Sequence, residues 1–165
     1  MGIAVLALVG LSPERVAALT AAGYVVREGK KYANRMDALR DGGDVRAVLT
    51  NGRGGLSGDE MKLLPNLEIV CAVGAGHEAV DLDTARSRGI AVANCPGTNA
   101  SAVADSAMML LMASTRHLLQ ADRFVRAGGW QDQWRVDTPT LSGKRLGILG
   151  LGTIGSQIAH RAARG

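Results

Sequence analysis

The residues best placed to do chemistry are three glycines near the end of the chain. Gly150, Gly152 and Gly155 form a G-x-G-x-x-G pattern after an apolar run, Leu146–Leu149, and before a helix-like run, Ser156–Ala163. Strand, glycine turn and helix in that order are the context in which this pattern holds the pyrophosphate of a dinucleotide. Gly150 would permit the tight turn, Gly152 would let the backbone approach the phosphates, and Gly155 would let helix and strand pack closely. Amides at the helix start would then face the phosphates. The alternative is an ordinary glycine-rich turn between strand and helix. The acidic residue that grips the ribose, about 20 positions further on, would fall beyond Gly165. The expectation is therefore a chain that holds only the first piece of a cofactor site.

Other reactive side chains are sparse. His77 is the one histidine placed near a ligand-type turn, while His117 and His160 sit in helical patterns and read as solvent-facing or interdomain. Glu14, Asp37, Asp59, Glu60 and Glu68 make no recognisable catalytic pair, and Asp81 and Asp83 flank a helix start where capping accounts for them. Cys71 and Cys95 have no CxxC spacing and read as buried, reduced thiols of a cytoplasmic protein. The methionines at 108, 109 and 112 read as core packing.

Bulk properties agree with a globular chain. The 165 residues are 47% hydrophobic and 21% charged, which supports a core of ordinary size. The net charge of +4 is spread along the chain without interleaved aromatics, which argues against a nucleic-acid surface. The apolar start, Gly2–Val9, lacks a basic flank and is too short to span a membrane.

These residues need elements to position them. Strands are expected at Ile3–Val9, Tyr24–Arg27, Ala47–Thr50, Leu67–Ala72 and Ile90–Asn94, with helices at Pro13–Ala22, Ser57–Leu64 and Leu82–Arg88. Ser12 and Pro13 supply an N-cap and a first-turn proline. Short strands alternating with helices predict an α/β fold of flavodoxin-like type, a parallel sheet with helices on both faces. The lack of polar alternation in Ile3–Val9 fits a sheet covered on both sides. One long, largely buried helix is expected from Asn99 to Ala127, then an irregular stretch from Trp130 to Leu141. Two domains follow: residues 1–99 are a flavodoxin-like substrate domain, and residues 100–165 are a connecting helix plus the first βα unit of a Rossmann dinucleotide-binding domain.

Four blocks, in this order and spacing, carry a resemblance to a known family. They are Val73-Gly-Ala-Gly-His-Glu-Ala-Val-Asp-Leu82, Arg88-Gly-Ile-Ala-Val-Ala-Asn-Cys-Pro-Gly97, Asn99-Ala-Ser-Ala-Val-Ala-Asp105 and Leu141-Ser-Gly-Lys-Arg-Leu-Gly-Ile-Leu-Gly-Leu-Gly-Thr-Ile-Gly155. Together they resemble the D-isomer-specific 2-hydroxyacid dehydrogenases. The resemblance implies hydride transfer between NAD or NADP and a small 2-keto or 2-hydroxy acid, and a homodimer with Trp130 or Trp134 at or near its interface. It implies that Val73, Gly74 and Gly76 bind the substrate carboxylate through backbone amides. Consecutive amides in a glycine turn at the carboxyl end of a strand suit an anion. It further implies that Ala75 and Val103 lie near the nicotinamide, and that Gly150, Gly152, Thr153, Ile154 and Gly155 hold the pyrophosphate. The family's catalytic Arg, Glu and His all follow the glycine motif, so none is assigned here, and the 165 residues alone are expected to be inactive. Departures include Glu78-Ala79 for the commoner Asp-Asn, Ala100 for Thr, and Thr153 for Arg. A non-catalytic nucleotide-sensing or assembly protein of the same architecture is the alternative.

Overall fold

The computed structural model describes residues 2–130 and 134–164. The chain divides into two compact units, Met1–Thr98 and Asn99–Gly165.

In the first unit, strands β1 (Ile3–Ala7), β2 (Tyr24–Glu28), β3 (Val45–Asn51), β4 (Ile69–Val73) and β5 (Ala91–Asn94) form one parallel sheet in the order β2-β1-β3-β4-β5. Four helices connect them: α1 (Pro13–Ala21), α2 (Arg35–Arg40), α3 (Gly58–Lys62) and α4 (Leu82–Ser87). Sequence explains their starts. Ser12 caps α1 with Pro13 in its first turn, and Asp81 caps α4 by accepting from the Thr84 amide (2.9 Å). Ser57 and Glu60 form a reciprocal capping box on α3. Helix α2 was not expected. Its signal is Asn34, whose Oδ1 accepts from the Asp37 amide at 3.0 Å, but six residues are too few to show a helical period.

The two faces of the sheet differ. On one, Leu6, Val48 and Val70 are fully buried against Leu39 of α2, Met61 of α3, Leu64 and Ala85 of α4. On the other, Val5 and Ala7 are buried, but Ala91 and Ala93 of β5 are exposed. Helix α1 leans on β2 and has no buried residue. The expectation of a sheet covered on both sides is thus corrected: among the described residues, cover on the second face thins towards β5. The expectation of buried thiols is corrected with it, because Cys71 is half-buried and Cys95 exposed.

Glu60 has a second role. Its carboxylate accepts from Arg35 Nη2 (3.1 Å) and from the Ser57 amide (2.8 Å), while Arg35 also donates to the Gly55 carbonyl (2.8 Å). Burial pushes the Glu60 carboxyl up, but the bonds from Arg35 and Ser57 outweigh it and hold the group below its ordinary range. A depressed folded-state value gives stability that is present above the unfolded carboxylate range and lost as pH falls through the folded value. Glu60→Gln should therefore lower stability near neutral pH by about 2 kcal/mol. It should also flatten the acid side of the stability profile, as measured by urea unfolding across pH.

The second unit contains α5 (Ala100–Thr115), α6 (Leu118–Arg126) and α7 (Thr153–Arg164). The single long helix expected here is broken at His117, whose φ of 52° is left-handed. The His117 carbonyl then accepts from the Gln120 and Ala121 amides, both at 3.0 Å, and so begins α6. Only Ala100 and Ala104 of α5 are buried. Met109 and Met112 are exposed, which corrects the core-packing reading of the methionines. Arg161 ties α7 to α5, donating to Asp105 Oδ1 (2.6 Å) and Ser101 Oγ (2.8 Å). Residues 146–149, expected as a strand, lie outside any sheet. A parallel strand needs a hydrogen-bonded neighbour, the second unit has none among the described residues, and Leu149 is fully exposed.

Candidate functional site

The turn after β4 is built by its neighbours. Val73 ends the strand and is exposed, and Gly74 follows with φ 104°. The Gly74 carbonyl accepts from the Cys95 amide (2.8 Å), and the Ala75 carbonyl accepts from Asn94 Nδ2 (2.7 Å). Both acceptors are thereby turned towards the end of β5. In a trans peptide the N–H points opposite to the carbonyl, so the amides of Ala75 and Gly76 are both directed away from β5. Among the described residues neither amide donates to a protein acceptor. Two adjacent, free amides in a glycine turn form a concavity suited to a carboxylate.

The loop after β3 braces this turn from the side. A Cβ on Gly52 would lie 2.6 Å from the backbone carbon of Gly76, so only glycine permits the two loops to touch. Asn51 Oδ1 accepts from the Arg53 and Gly54 amides (3.1 and 2.6 Å). Further along, the Leu56 amide donates to Ala79 (3.1 Å) and the Asp81 amide to Leu56 (3.0 Å). Gly55 has φ 53°, and a Cβ there would lie 1.9 Å from the Ala79 carbonyl oxygen. Sequence reasoning missed this loop as a partner of the turn. Its signal was there in Asn51-Gly-Arg-Gly-Gly55, three glycines in five residues, where two backbones approach.

The side chains around the turn are not those of a nucleophile. Burial pushes the Cys71 thiol up, aided by the nearby Cys95, which keeps it protonated. The Asp81 carboxyl is held below its ordinary range by the Thr84 amide and hydroxyl, as befits a cap. His77 is half-buried, with Nδ1 3.3 Å from Asn94 Nδ2. His117 stands at the helix break and His160 is exposed on α7. No group of three or more metal-ligating side chains occurs among the described residues.

The glycine motif of the second unit is a turn leading into α7. Gly150 has φ 90°, the left-handed conformation that a tight turn requires of it. Gly155 cannot carry a side chain, because a Cβ would lie 2.0 Å from the Gly150 carbonyl oxygen. Gly152 is different: a Cβ there would meet nothing within 4 Å. The space above Gly152 is open, and α7 begins beside it with the exposed Thr153 and Ile154. That combination fits the pyrophosphate of a dinucleotide, which needs a bare backbone and helix-start amides. Of the residues singled out by sequence, Val73, Gly74, Ala75 and Gly76 thus share one turn, and Gly150, Gly152, Thr153, Ile154 and Gly155 share another. Val103 is exposed on α5.

Residues 3–159 match the family model described as the catalytic domain of D-isomer specific 2-hydroxyacid dehydrogenase. The chain belongs to the D-isomer specific 2-hydroxyacid dehydrogenase family. A glyoxylate/hydroxypyruvate reductase A of Arabidopsis thaliana is 42% identical over 118 residues, 72% of this chain and 38% of that protein. Among solved dehydrogenases of the family, a 2-hydroxyacid dehydrogenase from Ketogulonicigenium vulgare superposes with a TM-score of 0.83 at 32% identity, covering 99% of this chain and 52% of the other. A NADPH-dependent glyoxylate/hydroxypyruvate reductase from Sinorhizobium meliloti, in complex with citrate, gives a TM-score of 0.82 at 30% identity, over 99% and 51% of the two chains. The same enzyme has been solved with NADP and malonate. The chain spans about half the length of these solved relatives and less than half that of the Arabidopsis reductase.

Proposed function

We propose that this chain forms part of an NAD(P)-dependent oxidoreductase that interconverts a small 2-keto acid and a D-2-hydroxy acid. The observation that carries the reading is the pair of adjacent amides, Ala75 and Gly76, turned outward by the hydrogen bonds to Cys95 and Asn94. A carboxylate held there replaces water with two fixed donors and orients the keto carbon next to it. The Val73–Gly76 turn is the substrate site in this reading, with Ala75 and Gly76 as its donors.

The cofactor is NAD or NADP. Gly150, Gly152, Thr153, Ile154 and Gly155 hold its pyrophosphate, and Ala75 and Val103 line the nicotinamide side. When bound, the nicotinamide supplies the hydride; the chain's own residues bind, orient and exclude water. Residues 1–99 serve as the substrate domain, and residues 100–165 as the connecting helix and first unit of the cofactor domain. The relatives named as glyoxylate/hydroxypyruvate reductases favour glyoxylate or hydroxypyruvate as substrate. The protein works in the cytoplasm, a reading consistent with its two unpaired cysteines. No helix among the described residues is long and apolar enough to cross a membrane.

The test is NAD(P)H oxidation by the purified full-length protein with glyoxylate and hydroxypyruvate. Keto-acid-dependent oxidation that yields the D-product is expected. Its absence with both cofactors would overturn the reading.

A homodimer belongs to the same proposal. Trp130 is 69% exposed, and the Phe124 and Trp134 rings pack at 5.2 Å beside it. With Ala121 and Val125 they line an apolar cleft of about 310 Å³. Large aromatics of this kind are enriched at interface cores. Full-length protein should sediment as a dimer at micromolar concentration, and Trp130→Glu should shift it towards monomer.

A further inference from the structure

We propose that Asn94 is a positioning residue for the substrate turn, acting on it through the Ala75 carbonyl and through the ring of His77. The inference rests on the functional reading above, and goes beyond it by assigning a side chain to the control of that site.

Asn94 is the last residue of β5, and its amide nitrogen carries two hydrogens. One is donated to the Ala75 carbonyl at 2.7 Å. A carbonyl oxygen only accepts, so the nitrogen of the Asn94 side chain, and not its oxygen, must face it. The other hydrogen is then directed at His77 Nδ1, 3.3 Å away. An amide nitrogen does not accept, so Nδ1 must be the unprotonated ring nitrogen, and His77 carries its proton on Nε2. One side chain thus fixes two things: the plane of the Ala75–Gly76 peptide and the tautomer of the next residue's ring. The first follows because a carbonyl held towards β5 aims the Gly76 amide the other way. The neighbouring Gly74 carbonyl is held by a backbone amide, that of Cys95, which no substitution at 95 except proline would remove. Asn94 is the side-chain part of the brace, and the part that mutation can release.

Its loss should leave the glycine turn in place but let the Ala75–Gly76 peptide rotate. Substrate would then meet one aimed donor instead of two. A purely structural Asn94 would tie down the end of β5, and its loss would lower stability and both affinities together.

Two variants of the full-length protein separate these roles. Asn94→Asp keeps the size of the side chain but has no hydrogen to give the carbonyl when ionised. Asn94→Ala removes the contacts without adding charge. Both should lower kcat/KM for hydroxypyruvate about tenfold or more, the cost of one lost or misdirected hydrogen bond, with the NAD(P)H KM changed less than about twofold. In the parent, nitrogen NMR should report His77 as the Nε2–H tautomer, and titration with oxalate should shift the Gly76 amide. In Asn94→Ala that amide shift should shrink while the rest of the spectrum keeps its dispersion. A parent His77 protonated on Nδ1 alone, or both variants within about twofold of parent for hydroxypyruvate, would overturn the proposal. If the parent reduces no keto acid at all, the functional reading fails separately. The oxalate titration still decides this one: a Gly76 amide unmoved in the parent, or moved equally in Asn94→Ala, would overturn it.

Discussion

Gly152→Val in the full-length protein is expected to weaken NAD(P)H binding about a hundredfold, a loss of roughly 2.7 kcal/mol, while the protein stays folded. A Cβ at this position meets nothing within 4 Å among the described residues, so the new methyl groups branch from open space. They occupy only the space that a pyrophosphate would use. The protein's own cost is small. Gly152 flanks α7, its carbonyl accepting from the Ser156 amide at 2.9 Å, and valine is a poorer residue than glycine at a helix start by about 1 kcal/mol. Gly155→Ala supplies the contrast. Its Cβ would lie 2.0 Å from the Gly150 carbonyl oxygen, so the turn itself must move. That variant should lose thermal stability and cofactor affinity together. Cofactor titration by fluorescence beside a melting curve distinguishes the two, and unchanged titration in Gly152→Val would remove the motif from the cofactor site.

The second large effect lies at the Val73–Gly76 turn, where the backbone changes which glycine is informative. Gly74→Val would be severe, but not for one reason alone. With φ at 104°, any side chain there is strained, and a β-branched one costs on the order of 1–3 kcal/mol before a ligand is considered. Its melting temperature should fall along with its activity. Gly76→Ala is the cleaner change. Its Cβ would lie 2.7 Å from Glu78 Oε2, the far end of a flexible side chain, and 3.5 Å from the Gly52 Cα, an ordinary contact. Glu78 can swing aside, and the methyl group then crowds the amide offered to the carboxylate. We expect kcat/KM for the keto acid to fall tenfold to about a hundredfold, with NAD(P)H affinity and melting temperature close to parent. Val73→Ile, at an exposed strand end, should change little. Equal loss of cofactor and keto-acid affinity in Gly76→Ala would make the turn a structural feature instead.

Much of the first unit was legible because its signals are local. Ser12-Pro13 and Asp81 mark their helices, and uninterrupted apolar runs mark the central strands, all of which the structure contains. The break at His117 was not legible, since Thr115-Arg-His-Leu118 contains neither glycine nor proline, and only a left-handed backbone at histidine reveals it. The strand expected at 146–149 failed for a different reason. Leu146-Gly-Ile-Leu149 has the composition of a strand, but pairing is a property of two segments, and no described segment of its unit pairs with it. At the Val73–Gly76 turn the sequence located the glycines but not the direction of each amide. The direction of each amide depends on what its neighbouring carbonyl finds, here Cys95 and Asn94, some twenty residues later in the chain. No spacing rule encodes that.

The thin cover over β5 bears on how often the turn is formed at all. This strand is four residues long, lies at the sheet's edge, pairs among the described residues with β4 alone, and leaves Ala91 and Ala93 bare. Segments with few buried contacts and one hydrogen-bonded neighbour open well below the free energy of global unfolding. When β5 peels away, Asn94 and Cys95 leave together, and both carbonyls of the turn are released in the same event. The binding-competent turn and the closed edge are therefore two readings of one equilibrium. By reciprocity, an anion held at Ala75 and Gly76 must slow amide exchange along a strand it never touches.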